Sequence, residues 1–313
     1  MHKSVLLRES VDSLEIKPGA TIIDATLGVG GHTIELAKAV GKNGRVIAFD
    51  LDKTAIAEFK IKIKKQPELA RRIFLKRGNF KDILILLKEL GIQRVDGFLA
   101  DLGWRIEQVE NPKYGMSLFR SGKLNMQLDQ NEKKNAFGVV NNYSQAQLTD
   151  IFWKLGEEKR ASLIAREIIR KRKLKVIETT TDLADLVEKS VNKFIRGKPR
   201  IHPATKVFQA LRIYVNRELD NLKIFLTDSL KILNKNGRLA VISFHSLEDR
   251  VVKNFFRENA RGCVCPKELP ICLCQQKQKL KIITKKPIKP TQTEIASNQR
   301  ARSARLRVAM KVE

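Results

Sequence analysis

The chain has 313 residues, enough for one large or two ordinary domains, each with its own core. With 42% hydrophobic and 30% charged residues the composition is that of a globular protein and excludes a disordered one. Sixty-one Lys and Arg against 34 Asp and Glu leave a formal charge of +27, which calls for a polyanionic partner, nucleic acid ahead of an anionic membrane.

No apolar run approaches the roughly 18 residues of a membrane span, and Arg8 and Glu9 interrupt the short apolar stretch at the N-terminus, which speaks against a secretory signal. The reading is a cytosolic protein. Aromatic residues are only 6%, so a charged surface that tracks phosphates fits better than a long stacking groove.

Residues 21–24 form a short apolar run that ends in the glycine-rich turn Leu27-Gly28-Val29-Gly30-Gly31, and a helical pattern follows through Ile34, Leu36, Ala37 and Val40. Strand patterns recur at 45–50, 73–75 and 95–101, with helical patterns at 53–65 and 82–90 between them. Strands alternating with helices at this spacing predict a parallel sheet covered on both faces. The alternation stops near 105. Residues 105–200 hold helical stretches, notably 145–173 and 182–194, and no convincing strand. A long helix is predicted over 205–233, a strand over 238–243 and a helix over 246–258. Two late strand candidates, 280–284 and 305–310, flank a loop rich in Pro, Thr and Gln. The simplest organisation is one α/β domain in two parts, 1–104 and 204–313, interrupted by a helical insertion over 105–203.

Basic residues concentrate twice: Arg166, Arg170, Lys171, Arg172, Lys173 and Lys175 within the insertion, and eleven Lys and Arg from 277 onward against Glu294 and Glu313. Either run alone could be a solvated face. Both together on so basic a chain point to RNA or DNA.

Glycines between strand and helix let a ligand approach the backbone, and the helix start offers free N–H groups. A dinucleotide fingerprint would need glycine at position 33, which is Thr33. The acid Asp24 before the loop suits S-adenosylmethionine, which carries an amine and a sulfonium. Asp50, ending the second strand, has the chemistry to accept both hydroxyls of an adenosine ribose.

Three further segments are distinctive: Arg200-Ile201-His202-Pro203-Ala204-Thr205-Lys206-Val207-Phe208-Gln209-Ala210-Leu211-Arg212-Ile213, then Asn216-Arg217-Glu218-Leu219, and Ser243-Phe244-His245-Ser246-Leu247-Glu248-Asp249-Arg250. With His2-Lys3-Ser4-Val5-Leu6-Leu7 near the start and Arg300-Ala301-Arg302-Ser303-Ala304-Arg305-Leu306-Arg307 near the end, the chain resembles the ribosomal RNA small subunit methyltransferase H family over nearly its whole length. The resemblance implies a Rossmann-like class I methyltransferase domain with an inserted all-helical domain that recognises RNA. It implies S-adenosylmethionine as cofactor and N4 of a cytidine in the 16S rRNA decoding centre as target, with the 30S subunit as partner. Carried over by position, Gly30, Gly31 and His32 would line the methionine end, Asp50 would hold the ribose, Phe80 would pack near adenine, and Asp101 and Gln108 would close the site. Arg200, Lys206, Arg212, Arg302 and Arg305 are the RNA-binding candidates.

The chain departs from the family pattern after the fourth strand. Where the family reads Asp-Leu-Gly-Val-Ser-Ser-Pro-Gln, this chain has Asp101-Leu102-Gly103-Trp104-Arg105-Ile106-Glu107-Gln108, and an acid and two arginines usual in the following stretch are neutral here. These changes motivate a second reading: a ribosome-assembly or RNA-binding factor that keeps the fold with impaired turnover. A methyltransferase for another RNA or for DNA is a third. The absence of a Pro-Pro-Tyr/Trp motif counts against DNA.

The exocyclic amine of cytosine is a poor nucleophile, so the enzyme must align it and accept a hydrogen bond from its N–H. Asp101 is the first candidate for that acceptor; a pure cofactor ligand is the alternative. The base would have to be flipped or single-stranded. His202 is either a substrate contact or part of a helix-entry turn. Ser243 and His245 are candidates for the active-site wall, and Ser246 with Asp249 reads as a variant capping box. No G-x-S-x-G elbow supports a hydrolase. Cys263, Cys265, Cys272 and Cys274 form two C-x-C pairs, which leaves a structural zinc open beside reduced packing cysteines and disulfides. The oligomeric state is open, a homodimer included.

Overall fold

A computed structural model of the chain describes residues 4–129, 133–192, 201–262, 265, 274 and 276–313. Of the candidates, Arg200, Cys263 and Cys272 lie outside the described residues. The chain forms two compact units, Met1–Gly103 with Leu219–Glu313, and Trp104–Glu218.

The first unit is built on one seven-stranded sheet: β1 (Thr21–Asp24), β2 (Arg45–Asp50), β3 (Ile73–Arg77), β4 (Val95–Asp101), β5 (Leu233–Ser243), β6 (Leu280–Ile282) and β7 (Arg305–Lys311). Their order across the sheet is β3-β2-β1-β4-β5-β7-β6. Strands β1 to β5 are mutually parallel, and β7 runs antiparallel between β5 and β6, with Arg238 opposite Met310 and Ser243 opposite Arg305. This is the Rossmann-like class I methyltransferase architecture. The two late strand candidates are thus real strands of the same sheet.

Alternation along the strands sorts their side chains onto two faces. Ile23, Ile47, Phe49, Phe98, Leu239 and Val241 pack with Leu222, Phe225, Leu226 and Leu230 of the helix Glu218–Ile232. Ile22, Val46, Leu99, Ala240 and Ile242 pack on the other face with Leu36 and Ala37 of the helix Gly31–Ala39. Each such side chain taken fully from water contributes about 1.5–3 kcal/mol. Because β1 has neighbours on both sides that were reached by crossovers in opposite directions, the order reverses between β1 and β4, which opens a crevice at their carboxyl ends.

The second unit is helical: Ile106–Glu110, Ala136–Asn142, Gln145–Gly156, Ala161–Arg172, Thr180–Asn192 and Thr205–Asn216. The helices Ala136–Asn142 and Gln145–Gly156 start where Asn135 and Ser144 supply caps. Ser144 Oγ accepts from Gln147 N–H (3.2 Å) while Gln147 Oε1 accepts from Ser144 N–H (2.8 Å), a reciprocal capping box. Leu148, Ile151 and Phe152 pack with Ile164, Ile168, Leu183, Val187, Val207 and Leu211 in this unit's own core.

Two boundaries differ from the sequence expectation. The helical unit continues past 203 to Glu218, because Val207, Ala210 and Leu211 belong to its core. The predicted 205–233 helix is two helices. Arg217 adopts φ 51°, its N–H reaches back to Tyr214 O (3.4 Å), and the chain restarts as a helix at Glu218. No described helix is long and apolar enough to cross a membrane.

Candidate active site

The glycine loop leaves the carboxyl end of β1 and is tied to β4. Ala25 N–H donates to Leu99 O (2.8 Å), and Asp101 N–H donates to Thr26 Oγ1 (2.7 Å). Gly30 takes φ 77°, and a Cβ there would strike the Phe59 ring; a Cβ on Gly31 would strike Ser4 Oγ. The loop therefore needs glycine for packing as well as for backbone conformation.

Carboxylates gather around this loop. Asp24 is fully buried and accepts from Thr33 Oγ1 (2.6 Å) and from Thr26 N–H (3.1 Å). Position 33, which breaks the dinucleotide fingerprint, thus has a task of its own. Burial raises the Asp24 pKa to about 7 with a further push from Asp50, against the pull of the two hydrogen bonds. Asp50, at the end of β2, accepts from Gly28 N–H (2.9 Å) and Asp52 N–H (2.8 Å), so its carboxylate is held in a fixed orientation. Asp101 ends β4 with its Oδ2 3.7 Å from His32 Nδ1. Its Oδ1 is buried with no hydrogen-bond partner among the described residues. Burial, then the charges of Asp24 and Glu248, hold its pKa well above the usual carboxylate range. His32 is buried in the first turn of its helix, where desolvation lowers its pKa to about 4 although the Val5 carbonyl favours the proton. Phe80 opens a short 3-10 turn after β3 and meets Phe225 edge-on, with centroids 5.4 Å apart.

Ser243 and His245 follow at the end of β5. Ser243 Oγ donates to the Arg305 carbonyl (3.4 Å). The cap of the helix Ser246–Ala260 is His245 with Glu248, not the expected Ser246 with Asp249. Glu248 N–H donates to His245 Nδ1 (3.4 Å), and Glu248 Oε2 accepts from Phe244 N–H (2.9 Å) and His245 N–H (3.4 Å). Asp249 instead turns inward to Arg307, whose Nε and Nη2 donate to it at 2.6 and 3.1 Å, and to Arg305 Nη1 (3.1 Å). Burial works to raise the Asp249 pKa, but the hydrogen bonds and charges of Arg307 and then Arg305 outweigh it and leave the pKa lowered.

Gln108, His202, Lys206 and Arg212 lie in the helical unit, each with an intramolecular partner. Gln108 Oε1 caps its helix by accepting from Arg105 N–H (3.0 Å). His202 Nδ1 accepts from Ala204 N–H (3.1 Å), its Nε2 is 3.6 Å from Glu188 Oε2, and its ring meets Phe119 edge-on; this is the helix-entry geometry. Lys206 Nζ donates to the Glu157 carbonyl (2.9 Å) at the end of the Gln145–Gly156 helix, where a cation suits the helix dipole. Arg212 pairs with both carboxylate oxygens of Glu218 (2.9 and 3.0 Å), and Trp104 Nε1 donates to the same carboxylate (3.2 Å). Of the RNA candidates described, Arg302 is the exposed one. Cys265 and Cys274 are partly buried; with Cys263 and Cys272 outside the described residues, the metal reading stays an expectation. Sequence reasoning left Glu248 out of the site, although its place three residues after His245 is a cap signal.

The MraW methylase family matches residues 1–312. The chain belongs to that family. A ribosomal RNA small subunit methyltransferase H of Halothermothrix orenii is 48% identical over 311 residues, covering 99% of this chain and 98% of that protein. Proteins of the same name from Finegoldia magna and Clostridioides difficile are each 42% identical, covering 99% of this chain and 98% and 99% of their own lengths.

Like the family, the chain is an S-adenosylmethionine-dependent methyltransferase, and its residues fit that cofactor. Asp101 Oδ1 is buried without a partner among the described residues, and Asp24 and Glu248 add negative charge beside it, which suits a cationic ligand. Positive charge on an incoming ligand relieves that repulsion.

Proposed function

We propose the residue assignment by which this methyltransferase modifies N4 of a cytidine in 16S rRNA, with the 30S subunit as the particle it acts on. S-adenosylmethionine supplies an electrophilic methyl group on a sulfonium. Gly30, Gly31 and His32 would border its methionine end, Asp50 would accept from the ribose hydroxyls, Phe80 would pack near adenine, and Asp24 and Asp101 would supply the field that favours a cation. The Asp101 carboxyl group at the carboxyl end of β4 would accept the hydrogen bond from the cytosine amine and so orient it for transfer. The observation that carries this assignment is the Asp101 carboxyl group at the carboxyl end of β4, partly exposed, with one oxygen buried and unpartnered among the described residues.

His245 is assigned to the helix cap, and His202 and Gln108 to helix entry and capping, as their hydrogen bonds support. Ser243 is assigned to the strand end. For RNA, Lys206, Arg212 and Arg305 already hold intramolecular partners, so the phosphate contacts are assigned to exposed Arg302 and to exposed Lys171, Lys173 and Lys175. A ribosomal substrate puts the protein in the cytoplasm.

The test is transfer from tritiated S-adenosylmethionine to 30S subunits that lack the modification, with the product nucleoside identified by mass spectrometry. N4-methylated cytidine that disappears in Asp101→Ala supports the assignment. Transfer that survives Asp101→Ala refutes the acceptor role. Cofactor binding with no transfer by the unaltered protein favours the assembly-factor reading suggested by the 104–127 departures.

A further inference from the structure

Residues 117–124 of the helical unit are tied down at successive points. Ser117 Oγ accepts from the N–H groups of Phe119 (3.2 Å) and Arg120 (3.1 Å). Thr180 Oγ1 donates to the Arg120 carbonyl (2.9 Å) and accepts from Gly122 N–H (3.2 Å), while Thr180 N–H donates to Gly122 O (2.9 Å). Lys123 forms a β-bridge with Thr179, and Leu124 N–H donates to Glu178 O (3.0 Å). Held in this frame, Phe119 is 79% exposed, more than any other aromatic residue among those described. Its ring meets the His202 ring edge-on, with centroids 5.6 Å apart, which steadies it while most of its surface stays in solvent. A lone exposed aromatic is ordinary; one on a hydrogen-bonded loop, oriented by a second ring, is already ordered for a ligand.

The charge around the ring points to the kind of ligand. Lys113, Arg120 and Lys123 of the same loop are exposed. Arg120 Nη2 lies 3.8 Å from Glu110 Oε2, but both side chains are more than half exposed, so solvent screens the pair and a phosphate can compete for the guanidinium. Thr179, paired with Lys123, is four residues from Lys175, a span of at most about 14 Å. The loop is thus near the exposed Lys171, Lys173 and Lys175. An aromatic face among cations matches a nucleotide: the base stacks on the ring and its phosphates meet the cations. Only an unpaired base offers its face in this way. We infer that Phe119 is a stacking platform for an unpaired base of the RNA, with Arg120 and Lys123 taking the phosphates beside it. The inference rests on the RNA substrate of the proposed function and adds a contact that charge alone would not supply. A platform of one ring also agrees with an aromatic content of 6%, too low for a long stacking groove.

The test measures binding of Phe119→Ala, Phe119→Leu and Phe119→Trp to protein-free 16S rRNA and to 30S subunits lacking the modification, over a range of salt. Phe119→Ala should weaken binding to both by about 5- to 150-fold. Leucine, apolar but without a flat π face, should recover little, and tryptophan should restore the affinity. None of these changes alters charge, so the slope of log K against log salt should stay as it is, whereas Lys123→Ala should flatten it by about 0.7–0.9. Because the side chain is mostly exposed, the urea midpoint should not move, which separates a binding loss from misfolding. In Phe119→Trp the added indole emission should be quenched when RNA binds. Binding by Phe119→Ala within twofold of the unaltered protein overturns the inference, and so does full recovery by leucine. Loss of 30S binding with rRNA binding intact overturns it as well, by giving the ring to a ribosomal protein. Methyl transfer by the unaltered protein with RNA binding indifferent to position 119 refutes this inference and leaves the proposed function standing. Binding that depends on the ring, with no transfer by the unaltered protein, supports this inference and refutes the catalytic assignment.

Discussion

The buried carboxyl of Asp24 makes cofactor affinity depend on pH near neutrality, and the size of the effect follows from its surroundings. In the free protein Asp24 titrates at about 7, because burial and Asp50 outweigh the hydrogen bonds from Thr33 and Thr26. A bound cation favours the carboxylate, so the same group in the complex ionises at lower pH, and binding releases a proton wherever free Asp24 is still protonated. About one-tenth of the molecules carry the Asp24 carboxylate at pH 6 and about nine-tenths at pH 8. Affinity for S-adenosylmethionine should thus rise about tenfold between these values, equivalent to about 1.4 kcal/mol. Calorimetry at pH 6, 7 and 8 in buffers of different ionisation enthalpy measures both affinity and proton release. Two comparisons isolate the cause: Asp24→Asn should flatten the profile, and S-adenosylhomocysteine, which lacks the sulfonium charge, should show a shallower one. An affinity that is flat from pH 6 to 8, with no proton released, would refute the reasoning.

The same group should cost the cofactor-free protein stability. Its folded pKa of about 7 lies above the unfolded value near 4, so the folded state holds the extra proton between those pH values, and stability falls by up to about 4 kcal/mol as pH rises through that window. Urea titrations at pH 5 and pH 8 should show the loss, and Asp24→Asn should remove most of it. Asp249→Ala should destabilise by about 3–5 kcal/mol at pH 7, since Arg307, like Asp249 nearly buried, would lose its carboxylate partner; a shift in the urea midpoint worth less than about 1 kcal/mol would contradict this. Replacing exposed Lys171, Lys173 and Lys175 with alanine should reduce the slope of log K against log salt for 16S rRNA by about 2, at roughly 0.7–0.9 per phosphate contact. An unchanged slope would move the RNA surface elsewhere.

Local patterns carried much of the architecture into the sequence. The β1 loop was legible because its glycines and acids are contiguous, and because Asp50 ends the next strand at the matching distance. Asp101 was legible as the last residue of an apolar run. What escaped was set by partners far along the chain. Arg305 read as an RNA contact, yet with Arg307 it binds Asp249, which lies 56 residues earlier in the chain. Lys206 meets a helix end 49 residues earlier. The predicted 205–233 helix breaks at Arg217, a non-glycine residue in the left-handed region, for which no composition signal exists. His245 displaces Ser246 as cap because its Nδ1, as well as a hydroxyl, can receive the N–H of Glu248.

The charges of the molecule are divided by sign according to what each must attract. The chain as a whole is strongly basic at +27, yet its cofactor crevice concentrates Asp24 and Asp101, with Asp50 acting on the first and Glu248 on the second. A uniformly basic crevice would repel a sulfonium and an ammonium, and a less basic exterior would give up affinity for phosphates. The acidic interior also distinguishes the cofactor before and after transfer. Loss of the methyl group removes the sulfonium charge, so the repulsion among these carboxyls returns and they take up protons again. The unequal pKa values of Asp24, His32 and Asp101 therefore follow from a site arranged around a positive charge that the reaction consumes.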